Sequence, residues 1–151
     1  MDKEEFRKGW VETQKYVLSH HGPSNWNRCY NMPIFSHNVR ICARCSGIYP
    51  GIIIGLSTFH LISGNVPIII LLFLLPLPAL LDWSLTSFTK LNGKNISRSL
   101  TGALLGYGYG IGLVELILVN NFLVLWLGLF YALIAGFAMW ILHHQVNLNT
   151  G

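Results

Sequence analysis

Four apolar stretches, each about long enough to cross a bilayer core, leave this chain very few ways to fold. They cover residues 46–63, 66–87, 99–119 and 122–142, and a helix needs roughly 20 residues to span the hydrocarbon. Lipid offers no water to satisfy stray backbone N–H and C=O groups, so each stretch must be a helix. Only Gly64 and Asn65 separate the first two, and only Asn120 and Asn121 the last two. Such connections are tight turns between antiparallel neighbours. Composition points the same way: 52% of residues are hydrophobic and 11% charged, against about 25% charged in soluble domains. The fold class expected is all-α, an integral membrane bundle of four transmembrane helices preceded by a cytoplasmic Cys-containing segment.

The net charge of +4 is distributed as membrane topology rather than as a basic groove. Lys3, Arg7, Lys8, Lys15, Arg28, Arg40 and Arg44 precede the first span, and Lys90, Lys94 and Arg98 surround the middle connection. The two tight turns hold none. By the positive-inside rule the N-terminus, the middle loop and the C-terminal tail face the cytoplasm of an inner or plasma membrane. The expected partner is the lipid bilayer, and no nucleic acid is implied. The first 40 residues are polar and charged, so no cleavable signal peptide is expected. Three regions result: a cytoplasmic segment over 1–45, the transmembrane domain over 46–144, and a tail over 145–151. Within the first, Phe6, Trp10, Tyr16 and Val17 recur at helical spacing and predict an amphipathic surface helix over 1–20. Residues 21–41, rich in Pro, Asn, Ser and Gly, read as a loop.

Glycines four residues apart let helix backbones approach closely. Gly102, Gly106 and Gly110, with Gly108 and Gly112 beside them, place the third helix at the centre of the bundle. An exposed glycine face would also suit a homodimer. Pro76 and Pro78 predict a kink in the second helix.

The residues with most chemical potential sit before the first span. Cys29, His37, Cys42 and Cys45 supply thiolates and an imidazole, the donors that zinc prefers, and four of them complete a tetrahedral site. An iron–sulfur cluster would use the same thiols. The odd, clustered cysteine count argues against a structural disulfide framework. A second chemistry is open for Cys45: a helix N-terminus and the adjacent Arg44 favour a thiolate suited to redox exchange or nucleophilic attack. Asp82 lies inside the second span near its cytoplasmic end, where a carboxylate is a functional candidate by default. Arg98 opens the third helix. The two form either a structural salt bridge or a working pair, Asp82 on a metal or proton and Arg98 on an anionic head group. His60 and Glu115 fall towards the opposite face and are expected to pair there. His20, His21, His143 and His144 lack ligand spacing.

The run Cys29, Pro33, Cys42-Ala43-Arg44-Cys45-Ser46-Gly47-Ile48-Tyr49 and Gly51 resembles the signature of a family of small prokaryotic membrane proteins of unknown function. Ser46 stands where that family usually has threonine, and Tyr30 where it tends to have histidine. Asp82 followed by Asn95, Arg98, Thr101 and Gly102 resembles a second family element. The resemblance implies this architecture and singles out these residues, but it implies no activity. The Cys45-Ser46-Gly47-Ile48 run with Arg98 and His143 is similar to exosortase-type transpeptidases. Four helices with a Cys-x-x-Cys are similar to membrane thiol–quinone oxidoreductases. Both work on the outer face, whereas these residues map to the inner one.

The combined expectation is a metal site on Cys29, Cys42, Cys45 and His37, adjoined by a pocket of Asp82, Asn95 and Arg98, with Arg44 and Thr101 close by. Its expected substrate is a lipid or another anionic small molecule at the membrane. Enzyme, metal-stabilised scaffold and small transporter all fit the sequence.

Overall fold

The computed structural model describes Glu5, Gly9 and residues 23–34, 37–62, 67–89 and 93–150. Most of the segment expected to form the amphipathic helix lies outside the described residues, as does the Gly64–Asn65 turn. A short 3-10 turn, Pro23–Arg28, leads into two antiparallel strands, β1 (Cys29–Ile34) and β2 (His37–Cys42). Five helices follow: α1 (Ala43–Ile62), α2 (Ile68–Leu74), α3 (Leu77–Phe88), α4 (Asn95–Leu118) and α5 (Leu123–Thr150). α2 and α3 are the halves of one span, so four helical segments are long and apolar enough to cross a membrane.

The hairpin corrects two expectations, a loop over 21–41 and an all-α chain. Val39 and Ile41 alternate with Asn38 and Arg40 in β2, the period-two pattern of a strand with one covered face. Val39 is buried while Arg40 lies over the ring of Trp26, its guanidinium carbon 3.3 Å from the centroid. Pro33 is tolerated because a two-stranded ribbon has only edge strands. Two helices also start earlier than the apolar runs suggested, at Ala43 and Asn95. Their polar first turns carry Arg44, Cys45 and Arg98. At the other end of the chain α5 continues to Thr150, so the tail expected over 145–151 is helical almost throughout.

Pro76 and Pro78 break the second span where expected. Neither ring nitrogen can donate to the preceding turn, and the chain re-forms a helix with Leu80 N–H donating to the Pro76 carbonyl at 3.1 Å. Asn120 closes α4 in the left-handed region (φ 57°), a conformation asparagine tolerates better than most residues. Its neighbour Asn121 donates its backbone N–H to the Glu115 carbonyl at 3.2 Å.

The principal packing in the molecule is α1 against α4. Gly47, Gly51 and Gly55 of α1 face the backbone of Ser99, Ala103 and Tyr107, while Gly102, Gly106 and Gly110 of α4 face Arg44, Ile48 and Ile52. A Cβ on any of the six would stand less than 3.0 Å from a carbonyl oxygen of the facing helix. Two interlocked glycine stripes therefore bring the backbones into direct contact. Such an approach gains dispersion and Cα–H···O contacts, which matter most where lipid supplies no hydrophobic drive between helices. The α4 stripe is thus engaged within the chain. Beyond it, Phe59, Ile111 and Leu72 form a small buried cluster joining α1, α4 and α2. α5 leans loosely on α2, α3 and α4, with Phe137 and Trp126 more than 60% exposed. Apolar exposure on that scale suits hydrocarbon, not water.

Candidate functional site

The hairpin is tied to the start of the α1–α4 pair by polar contacts at the basic end of the bundle. Ser46 and Ser99 each donate a hydroxyl to the Ala43 carbonyl at 2.7 Å. The Tyr30 hydroxyl lies 3.0 Å from Ser99 Oγ, which gives Tyr30 a docking role. Asn95 donates from Nδ2 to the Asn27 carbonyl at 3.0 Å. Its Oδ1 accepts from Arg98 Nη1 at 3.3 Å. Asn95 therefore clasps the start of β1 instead of lining a pocket.

Behind this clasp lies a cavity of about 230 Å³, lined by Arg28, Cys42, Arg44, Cys45, Ile48, Trp83, Thr86 and Arg98. Three guanidinium groups share one small space, and no carboxylate lines it among the described residues. Asp82 reaches Arg44 from outside the lining, accepting from Nη2 at Oδ2 over 2.7 Å. Ser97 donates to the other carboxylate oxygen at 3.3 Å. Asp82 thus pairs with Arg44, which corrects the pairing with Arg98 expected from sequence. Arg98 is 6% exposed and holds Asn95 instead. Arg44 Nε is buried and has no hydrogen-bond partner among the described residues. Thr101 donates to the Arg98 carbonyl at 3.3 Å and does not reach the cavity.

The three cysteines gather at the root of the hairpin, none of them joined in a disulfide among the described residues. Cys29 and Cys42 are cross-strand partners, and Cys45 is in hydrogen-bonding contact with Cys42. Ala43 begins α1, so Cys42 sits at its entry and Cys45 in its first turn, where backbone N–H groups point outward. Burial pushes the Cys29 thiol above its ordinary value; neighbouring Cys42 adds to the rise and Arg40 opposes it. The backbone of His37 lies away from this cluster. It occupies the far end of β2, five residues and about 17 Å of strand from Cys42. Among the described residues, no group of three or more His, Cys, Asp or Glu side chains stands close enough to hold a metal ion.

The pair expected at the opposite face does not form either. Glu115 is buried and accepts from Asn121 Nδ2 at 3.2 Å, while His60 is exposed and meets the Phe59 ring edge-on. His143 and His144 lie exposed near the end of α5, away from the lining. Arg28, Trp83 and Thr86 were not singled out as a group by sequence. Their common feature is position relative to the span ends, which only the fold reveals.

These helices define a four-span integral membrane protein whose polar residues concentrate at one end. The chain belongs to the family of predicted membrane proteins DUF2085, which it matches over residues 28–112. That match takes in the hairpin, every residue lining the arginine cavity, and all six interlocked glycines. No curated protein and no solved structure matches the chain.

Proposed function

We propose that this protein binds an anionic, phosphate-like group in the cavity between Arg28, Arg44 and Arg98, at the cytoplasmic mouth of the bundle. The observation that carries the reading is three guanidinium groups around one space with, among the described residues, a single carboxylate to offset them. Bringing like charges together out of water costs free energy that an anion returns. Guanidinium also matches phosphate geometry through paired N–H donors. The buried Arg44 Nε–H, which has no acceptor among the described residues, adds a further donor. Titrating the detergent-solubilised protein with methyl phosphate, followed by ³¹P NMR, tests this. Saturable binding is expected, weakened about tenfold or more in Arg98→Gln, as loss of one charged hydrogen bond implies. Binding that is absent, or unchanged across Arg28→Gln, Arg44→Gln and Arg98→Gln, would overturn it.

A second reading, a zinc or iron centre on the thiols, is favoured by the convergence of Cys29, Cys42 and Cys45. Soft thiolates are strong ligands for either ion, and the arginines would offset the negative charge of a thiolate-bound metal. A bound ion would draw Cys29 towards the other two and take a fourth donor from outside the hairpin root. Elemental analysis of purified protein is expected to return near-stoichiometric metal, lost in a Cys42→Ser, Cys45→Ser double variant. Metal-free protein with thiols that alkylate freely would exclude this centre.

A further inference from the structure

The arginine cavity has a larger apolar neighbour. A groove of about 820 Å³ runs between α2, α3, α4 and α5, within the range of about 300–1,000 Å³ usual for small-molecule sites. Leu72, Ala79, Leu105, Leu116 and Ala132 are among its apolar walls. The groove lies where the second span breaks at Pro76 and α5 packs loosely, and Gly108 and Gly112, against which Leu75 and Val124 come close, form part of its α4 wall. Arg44 and Trp83 line both spaces. A cationic chamber and an apolar trough thus share a wall, the first at the membrane surface and the second at hydrocarbon depth.

We infer that the ligand is a phosphate-headed lipid, its head group held by Arg28, Arg44 and Arg98 and its chain laid along the groove past Trp83. This rests on the anion-site reading and extends it to a substrate class. The complementarity is twofold: positive charge meets the head group, and an apolar lining meets the chain. A second copy of this chain would cover the groove but would leave the arginines unanswered. A soluble anion would answer the arginines but would leave the groove unfilled. A lipid does both. It needs no aqueous entry path, because α5 borders the groove on the bilayer side.

The test separates head from chain. The protein is exchanged into mixed micelles carrying phosphatidic acid and phosphatidylcholine and examined by native mass spectrometry, with methyl phosphate binding measured in parallel. Gly128→Phe and Ala132→Phe fill the groove without touching an arginine. A Cβ at Gly128 meets nothing within 4 Å, so a side chain can leave the backbone there without a clash at its root. Intact folding is checked by protection of the buried Cys42 thiol from alkylation. The expected result is one phosphatidic acid retained in preference to phosphatidylcholine. Retention falls at least tenfold in the groove variants, whose methyl phosphate binding stays at the wild-type level, and both weaken about tenfold or more in Arg98→Gln. Lipid retention unchanged in the groove variants, or a dimer that those variants dissociate, overturns the lipid assignment while leaving the anion site standing. Absence of methyl phosphate binding in the wild type removes both.

Discussion

Replacing Gly106 by leucine is expected to abolish the stable bundle. The new Cβ would run into the Ile48 carbonyl, and neither helix can yield without breaking the neighbouring contacts at Gly51, Gly102 and Gly110. Overpacking a side chain against backbone is at the severe end of such substitutions, here about 3 kcal/mol or more. Thermal unfolding in detergent micelles, read by the rate at which Cys42 becomes alkylated, measures it. Gly136→Leu is the control, because a Cβ there meets nothing within 4 Å. A wild-type unfolding profile for Gly106→Leu would show that α1 and α4 do not pack as described.

The second large effect has two opposite signs. Asp82→Asn keeps one oxygen for Arg44 and puts an N–H donor towards the Ser97 hydroxyl, which can turn to accept it, but removes the only carboxylate that reaches the arginine cluster among the described residues. Stability should fall by about 2 kcal/mol, since one member of a largely buried ion pair is left uncompensated. Methyl phosphate should nevertheless bind roughly three- to tenfold more tightly, because a nearby negative charge no longer competes for Arg44. The same unfolding assay and the ³¹P titration read the two quantities separately. Weaker anion binding in Asp82→Asn would mean that the carboxylate orders the arginines for the ligand. Unchanged stability would mean that the Arg44 contact is solvated.

The spans and the kink were legible in the sequence because their signals are local. Twenty apolar residues in a row and two closely spaced prolines mean the same thing whatever surrounds them. Only half of the glycine interface was read. Gly102, Gly106 and Gly110 stood out among neighbouring glycines, whereas Gly47, Gly51 and Gly55 carried the same spacing inside an otherwise ordinary apolar run. The hairpin was obscured by Pro33 and by the surrounding asparagines, although the alternation from Asn38 to Ile41 was there to see.

The ion pairing could not be read, because it depends on rotation about helix axes. Asp82, Arg44 and Arg98 all lie near one end. Which guanidinium meets the carboxylate is set by the face of α1 that the glycines turn towards α4. Arg28 was invisible for a related reason. It joins the cavity only because the hairpin folds back over the helix starts.

The interlocked glycines also bear on how the bundle is made. The principal partner of α1 is α4, which is not its neighbour in sequence. Ser99 and Asn95, which seat the hairpin, belong to that same later helix. A chain emerging from the ribosome therefore completes its first two spans with nothing yet to close upon. Until the third span enters the bilayer, the cysteines and the first arginines wait at the membrane surface with no cavity around them. The cavity cannot close without α4, and no residue of α5 belongs to its lining.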